Sequence, residues 1–226
     1  TAHTFGLGEV MRAALDAGAA RLLIAVGGSC STDGGAGALL ALGATLIDEC
    51  GDTVALGNAA LHRLDRADLG SAVPPPAGGA VVLTDVDNPL LGDRGAVAVF
   101  GPQKGASPAA VERLEASLSH FFGVVARDVG VDVRQTPGGG AAGALSAGLM
   151  ALLGGRIESG IDLILDHAGF ANHLRDAALV VTGEGRIDAQ TVQGKGPIGV
   201  ARQARAAGVP VVAIVGGLEA PDELFH

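Results

Sequence analysis

Tryptophan and tyrosine are absent from this 226-residue sequence, which also contains only two cysteines. Proteins that bind single-stranded nucleic acid stack bases on aromatic rings, and nucleic-acid binding in general needs clustered lysine and arginine against phosphates. A chain with six phenylalanines as its only aromatic side chains and a net charge of −9 offers little of either. No nucleic-acid partner is predicted.

Long apolar runs and secretion signals are also missing. No apolar stretch reaches the roughly 18 residues needed to span a bilayer, so no membrane partner is predicted. Cys30 and Cys50 lack CxxC spacing and suggest no disulfide framework. The first residues show neither a basic nor an apolar signal-peptide region. A cytoplasmic protein is the simplest expectation.

Glycine, in contrast, is abundant, with 37 of the 226 residues, against an average of about 7%. The glycines cluster directly after short apolar runs, which is typical of strands that end in ligand-binding loops. Four such runs are interpreted as parallel strands that are apolar and buried on both faces. They lie at residues 21–26, 80–83, 178–181 and 209–215.

Helical patterns alternate with these runs. Apolar residues on one stripe predict a helix that begins after Ser107, with Pro108 in its first turn. Further helices are predicted at residues 8–17, 34–42 and 141–153 and from Pro197 to near Gly208. The predicted fold class is therefore α/β with a mainly parallel sheet. The proline-rich stretch 71–79 is either a linker between domains or a surface loop within one.

The first apolar run leads into Gly-Gly-Ser-Cys-Ser-Thr-Asp at residues 27–33. Glycine lets backbone N–H groups approach an anion without hindrance from a Cβ atom, and hydroxyl groups can donate to phosphate or carboxylate. Gly27, Gly28, Ser29 and Thr32 are therefore candidate residues for binding substrate or phosphate. Asp33 either contributes to that site or caps the helix that follows.

The second run is followed by Asp85 and Asp87, which share a face of an extended segment because they are two residues apart. Paired carboxylates at a strand end can coordinate Mg²⁺ beside phosphate oxygens, so both are candidate metal ligands. Lys104 lies in a glycine-flanked loop and is a candidate phosphate-binding cation. The alternative is that Asp-Asn-Pro forms a turn and that Lys104 is an ordinary solvated lysine.

The loop after the third run carries an unusual number of charged residues. It contains Glu184, Arg186, Asp188 and Lys195, interspersed with glycines. A structural turn does not require acids and bases together. Phosphoryl transfer does, since its catalysis consists mostly of positioning and charge neutralisation. Asp188, Lys195 and Arg186 are the candidate catalytic residues, and Glu184 is a candidate for binding substrate or phosphate.

Two familiar nucleotide-binding patterns fit poorly. The Walker A pattern around Gly194 and Lys195 fails, because Ala189 and Gly196 stand where it needs glycine and serine or threonine. Residues 138–143 match GxGxxG, but they do not follow a clean apolar strand. A dinucleotide-binding oxidoreductase remains the alternative enzyme function.

These segments, taken together with their order and spacing, resemble bacterial type-I glycerate kinase. The matching stretches are residues 27–37, 85–92, 100–105, 138–143, 183–188 and 194–195. The resemblance covers the central portion of the family. Members carry an Asp-Ser-Phe-Lys-Gly segment near their start and an Asp-Gly-Gly-Glu-Gly segment later, and neither occurs in this sequence. A truncated, non-catalytic anion-binding module is therefore a third hypothesis.

The resemblance implies a Rossmann-like parallel-sheet domain interrupted by an inserted, smaller α/β domain. Residues 1–44 and 176–226 would form the Rossmann-like domain, and residues 45–175 the insert. It also implies transfer of the γ-phosphate of ATP to a hydroxyl of D-glycerate, with Mg²⁺, to give 2-phosphoglycerate. In that reaction Asp188 would orient or deprotonate the hydroxyl, while Lys195 and Arg186 would neutralise phosphate or the substrate carboxylate. A homodimer could cover apolar strands that are otherwise exposed.

Overall fold

The computed structural model describes residues 2–187 and 196–219, in which helices and strands alternate along the chain. Their bounds, in order, are α1 Phe5–Asp16, β1 Leu22–Ala25, α2 Ala36–Ala41, β2 Thr45–Asp48, β3 Leu64–Asp68, β4 Ala80–Leu83, α3 Ala96–Phe100, α4 Pro108–Val129, α5 Ala141–Leu153, β5 Arg156–Glu158, α6 Gly160–His167, α7 Phe170–Leu174, β6 Val180–Glu184, α8 Gly196–Ala206 and β7 Val211–Val215. Two 3₁₀ helices span Asn58–Arg63 and Pro102–Lys104. The predicted α/β class is confirmed.

The chain divides into two compact units, Thr1–Ile157 and Glu158–His226. The first contains a sheet of order β1-β4-β5, in which β1 and β4 are parallel, and a separate antiparallel pair of β2 and β3. Strand β1 lies in the range predicted for the Rossmann-like domain, residues 1–44, and β4 lies in the predicted insert, residues 45–175. The two strands nevertheless pair in one sheet. The division at residues 44 and 176 stays a prediction. The proline-rich stretch 71–79 is a loop between β3 and β4 within the first unit.

Two apolar cores stabilise the first unit, and α2 and α5 contribute to both. On one side, Leu145, Leu149 and Leu153 of α5 pack with the sheet residues of β1 and β4. On the other side, the smaller Ala144, Ala147 and Ala151 pack with a cluster centred on α4. Large side chains thus face the sheet, and small ones allow close contact with the neighbouring helices.

Helix α4 follows the sequence prediction closely. The hydroxyl of Ser107 accepts a hydrogen bond from the Ala110 N–H at 3.3 Å, and Pro108 is the first helical residue. Phe121 and Phe122 are fully buried and meet edge to face, with ring centroids 4.9 Å apart. Neither α4, with 22 residues, nor any other helix in residues 2–187 and 196–219 is long and apolar enough to cross a membrane.

The second unit is built around the parallel pair of β6 and β7. One side packs with α7 and α8 through a small core that includes Leu174, Ala204 and Val209. The other side is open, since Val212 is 48% exposed and Ile214 is 69% exposed. In the first unit, Leu23 of β1 is 52% exposed. The expectation that the runs are buried on both faces is therefore wrong for β1, β6 and β7, because only one face of each meets a packed layer of the described chain. It is confirmed for β4, whose neighbouring residues Val81 and Val82 are both fully buried.

Several glycines are required because two backbone segments come very close. A Cβ atom built on Gly148 in α5 would lie 2.2 Å from the carbonyl oxygen of Gly34, and one on Gly143 would lie 2.2 Å from that of Ser31. The N–H of Gly34 also donates to the Gly143 carbonyl oxygen at 3.1 Å. The start of α5 therefore packs directly against the segment that leads from β1 to α2.

We expect Gly148→Ala to destabilise the protein by about 1–3 kcal/mol, because the new methyl group overlaps a backbone oxygen that cannot easily move. The matched control is Gly123→Ala in α4, where a Cβ atom would have no neighbour within 4 Å. That change should be neutral or stabilise by up to about 1 kcal/mol, through helix propensity. Chemical denaturation of both variants measures the difference. Equal stability of the two variants would contradict the close packing.

Candidate functional site

The segment after β1 forms an open loop at the carboxyl end of the sheet. Gly28 has a φ of 71°, and a Cβ atom on Gly27 or Gly28 would have no neighbour within 4 Å. Ser29 and Thr32 are half-buried. Close packing does not require these two glycines, unlike Gly143 and Gly148. Their free sides leave room for a ligand, in agreement with the predicted anion loop.

Asp33 has a different environment, being completely buried. Its carboxylate accepts hydrogen bonds from the N–H and hydroxyl of Thr4, at 2.8 and 2.9 Å, and from the N–H groups of Gly35 and Gly37, both at 3.3 Å. It therefore joins the start of α1 to the start of α2. The N-cap residue of α2 is Gly35, so Asp33, two residues before it, is not the N-cap itself but accepts hydrogen bonds at the start of this helix. A direct part for Asp33 in ligand binding stays a prediction.

Lys104, in the second predicted segment, contacts the loop after β1, which is the first predicted segment. Its ammonium group donates to the Ser29 hydroxyl at 3.2 Å and to the Ser31 carbonyl oxygen at 2.6 Å. Partial burial lowers the pKa of Lys104, and the nearby Cys30 and Asp33 partly oppose that shift. Lys104 is therefore not an ordinary solvated lysine. It is a partly desolvated cation that holds the loop after β1.

A cavity of about 680 Å³ opens beside Lys104. Its charged side chains are Lys104 and Arg113, with His62 as a further nitrogen donor. Among the described residues, the lining contains no aspartate or glutamate, although the chain as a whole carries 24 acidic and 15 basic residues. The lining residues that the structure describes are Ala2, Cys30, Thr32, Asn58, Ala59, His62, Gly101, Lys104, Gly105, Ala106, Ala110, Arg113, Leu114, Ala116 and Ser117. Such a lining favours an anionic ligand.

Asn58 connects segments of the chain that line this cavity. Its side-chain amide donates to the carbonyl oxygens of Thr32, at 2.9 Å, and Leu114, at 3.1 Å. Asn58 belongs to the 3₁₀ helix Asn58–Arg63 and is buried. One side chain thus connects the loop after β1, this 3₁₀ helix and α4, so the cavity has a fixed shape before any ligand arrives.

The two predicted metal ligands have different surroundings. Asp85 is half-buried just after β4, whose carboxyl end lies beside that of β1. Asp87 is exposed and forms an ion pair with Arg94 at 3.0 Å. Neither residue lines the cavity. Within residues 2–187 and 196–219, no group of three or more histidine, cysteine, aspartate or glutamate side chains is arranged to hold a metal ion.

The third predicted segment belongs to the second unit, at the carboxyl ends of β6 and β7. One carboxylate oxygen of Glu184 is buried and accepts no hydrogen bond from the described part of the chain. Arg186 is exposed and forms an ion pair with Glu219 at 3.2 Å. Asp188 and Lys195 lie outside the described residues, so their predicted roles are untested.

The GxGxxG match at residues 138–143 is a packing element. Gly138, Gly139 and Gly140 are buried, and a Cβ atom on Gly140 would lie 2.2 Å from the carbonyl oxygen of Pro89. Together with the contact between Gly143 and Ser31, this means that the protein's own backbone occupies the space a dinucleotide pyrophosphate would need. The oxidoreductase alternative loses its only structural basis.

Comparison with known proteins agrees with the motif resemblance. The family model described as "Glycerate kinase family" matches residues 1–226. The chain belongs to the glycerate kinase family. It is 44% identical over 216 residues to the glycerate kinase of Halalkalibacterium halodurans, which covers 95% of this chain and 57% of that protein. It is 45% identical to the glycerate 2-kinase of Escherichia coli, over 94% of this chain and 56% of that protein.

A solved structure supports the same relationship. The structure of a proposed glycerate kinase 2 from Salmonella typhimurium LT2 matches with a TM-score of 0.78 and 44% sequence identity, covering 95% of this chain and 57% of that one. The chain thus spans little more than half the length of these relatives.

The cavity lining includes Asn58, His62 and Arg113, which the sequence patterns did not predict. Asn58 and His62 lie in a 3₁₀ helix that has no marked pattern. Arg113 lies on the polar side of α4, where a charged residue is expected for solubility alone. One available signal is that positions three and four residues from Arg113 in either direction carry only alanine and serine, so the helix offers it no acidic partner.

The lowered pKa of Lys104 generates a pH prediction. Binding of an anion such as sulfate to the protein should weaken as the pH rises through this pKa, because deprotonation removes a positive charge from the cavity. The loss should begin at a lower pH than the usual lysine value of 10.5 implies, because burial disfavours the charged form. Titration calorimetry between about pH 7 and 10 measures the effect.

Lys104→Arg is the control, since a guanidinium group stays protonated throughout that range. The variant should lose less affinity for sulfate at alkaline pH than the wild type does. Identical pH profiles for the two proteins would show that Lys104 does not act on the bound anion.

Proposed function

We propose that the protein carrying this chain is an ATP-dependent glycerate kinase, which transfers the γ-phosphate of ATP to a hydroxyl of D-glycerate and gives 2-phosphoglycerate. Family membership supports this proposal, as does the 45% identity to a protein named glycerate 2-kinase. The observation that carries it is the cavity, whose described lining has cationic side chains and no acidic ones in a chain of net charge −9. Both substrates of the proposed reaction are anions.

The first unit would contribute anion binding. Gly27, Gly28, Ser29 and Thr32 would supply N–H and hydroxyl donors, and Lys104 would neutralise negative charge beside them. Phosphoryl transfer depends mainly on positioning and on charge neutralisation of the transferred group. The contacts of Lys104 with Ser29 and Ser31 hold the cation and the donors in one fixed group.

Magnesium would be held near the carboxyl end of the first sheet. Asp85, half-buried just after β4, and Asp87, which is exposed and would exchange its ion pair with Arg94 for the metal, are the predicted ligands. One carboxylate is sufficient when phosphate oxygens and water complete the octahedral shell that Mg²⁺ requires. When bound, the ion would neutralise charge on the phosphates of ATP.

Residues near the end of β6, in the second unit, have the remaining roles predicted from the sequence. We assign Asp188 to orienting or deprotonating the substrate hydroxyl, and Lys195 and Arg186 to neutralising phosphate or carboxylate. Arg186 would first exchange its exposed ion pair with Glu219 for the ligand, which costs little at a solvated site. Glu184 has a buried carboxylate oxygen that accepts no hydrogen bond from the described residues, and a bound ligand could donate one to it.

The finer architecture and cellular context also belong to this proposal. They comprise a Rossmann-like domain formed by residues 1–44 and 176–226, an insert formed by residues 45–175, a cytoplasmic location and a homodimer. The exposed Leu23, Val212 and Ile214 support an additional packing partner for these strands.

The full-length protein should release ADP when it is given ATP, Mg²⁺ and D-glycerate. A coupled ADP-release assay measures this, with glycerol in place of D-glycerate as a control that lacks the carboxylate. Absence of glycerate-dependent ADP release would refute the proposed activity. Activity that survives complete chelation by EDTA would refute only the part concerning the metal.

Asp188→Asn should lower kcat by roughly 10²–10⁴-fold with little change in the KM for ATP, because it removes the carboxylate and keeps the side-chain shape. Lys195→Ala should also raise the KM for ATP, if Lys195 binds phosphate in both the ground state and the transition state. If both residues only stabilise a turn, both variants will have a lower Tm and a nearly unchanged kcat. Near-wild-type kcat for Asp188→Asn would remove it from the catalytic residues.

A further inference from the structure

We propose that Arg113 binds the carboxylate of the acid substrate and makes the enzyme selective for a hydroxy acid over a neutral polyol. This inference rests on the proposed glycerate kinase function and adds a specificity-determining residue to it. The loop motifs at residues 27–33 and 183–195 do not include Arg113.

Among the described residues, the guanidinium group of Arg113 has no counter-ion. It lines the cavity and forms no ion pair or hydrogen bond with the part of the chain that the structure describes. Arg94 and Arg127, by contrast, pair with aspartates in the same unit. Glu115, on the same helix, is already occupied, since its carboxylate accepts a hydrogen bond from the Gly92 N–H at 2.7 Å. An arginine without a partner at a cavity wall is a ready site for a carboxylate.

The neighbours of Arg113 leave space for such a ligand. Ala59, Ala106, Ala110 and Ala116 contribute only methyl groups to the lining. The volume of about 680 Å³ exceeds the needs of a three-carbon acid, so a phosphoryl group could enter the same space. Asn58 connects α4, which carries Arg113, to the loop after β1, which Lys104 contacts, so both cations belong to segments that are joined around the same space.

Lys104 is less suited to the carboxylate. Its ammonium group already donates to Ser29 and Ser31, which leaves at most one of its three donors for a ligand. The planar guanidinium group of Arg113 can instead donate two parallel hydrogen bonds to one carboxylate. We therefore assign the substrate carboxylate to Arg113 and the neighbourhood of the transferred phosphate to Lys104.

The nucleotide is the other source of oxyanions, and the lining argues against its metal-bound phosphates at Arg113. ATP in kinases arrives with Mg²⁺, which proteins usually hold with one or two carboxylates. Within the part of the chain that the structure describes, the cavity lining has neither aspartate nor glutamate. A carboxylate without a metal ion is the ligand that this arrangement fits.

The test compares Arg113→Gln, Arg113→Lys and the control Arg21→Gln in the full-length protein. Arg21 is exposed and lies outside the cavity, so its change removes the same charge from the same unit without touching the lining. Arg113→Gln should weaken D-glycerate binding in calorimetry, and raise the KM for glycerate, by about 10- to 100-fold. The KM for ATP should stay unchanged. Arg113→Lys should fall between wild type and Arg113→Gln, and Arg21→Gln should match wild type.

The outcomes separate this inference from the proposed function. Glycerate-dependent ADP release with an unchanged glycerate KM in Arg113→Gln would overturn the inference and keep the function. Arg113-dependent D-glycerate binding in a protein that does not use ATP would support the inference and overturn the function. A raised KM for ATP alone would assign Arg113 to the nucleotide and overturn the inference. Arg113→Gln should keep the wild-type Tm, because Arg113 is exposed and has no partner among the described residues. If all three variants lost D-glycerate binding and had a lower Tm, the assignment of the carboxylate to Arg113 would be overturned.

Discussion

The close backbone contact between α5 and the segment from β1 to α2 is the constraint on which the rest of the first unit depends. Gly143 and Gly148 allow it, because any larger residue would place a Cβ atom 2.2 Å from the carbonyl oxygen of Ser31 or Gly34. The buried carboxylate of Asp33 fixes the same segment to α1 and α2. With its inner side supported in this way, the loop at residues 27–32 can keep its outer side open for a ligand.

The electrostatics of the first unit follow from this arrangement. A fixed loop gives Lys104 two oxygen partners and draws its ammonium group into a partly desolvated position, which lowers its pKa. The described residues of the surrounding lining include no acidic side chain, although acids outnumber bases along the chain. Positive charge is therefore concentrated where it is least screened by water and most effective on an anion. This separation of charge links the fold to the proposed phosphoryl transfer.

Helices and strands could be located from the sequence more accurately than the tertiary contacts between them. The stripe of α4, its start at Ser107 and the strands β1 and β4 followed from local patterns, because helix caps and apolar periodicity act over a few residues. The role of residues 138–143 was hidden, since a glycine needed for backbone packing and one needed for phosphate look identical in sequence. Arg113 was missed because it enters the site through the contact of α4 with a distant 3₁₀ helix. The exposed faces of β1 and β7 were missed because a run of valine and isoleucine does not reveal how many layers cover it.

The central claim is that the cavity beside Lys104 receives the acid substrate. A crystal structure of the full-length protein grown with D-glycerate tests it most directly. The account predicts electron density for the acid in this cavity, with its carboxylate on Arg113 and its hydroxyl end toward Lys104 and Ser29. An acid bound elsewhere, with the cavity holding only water, would contradict the account.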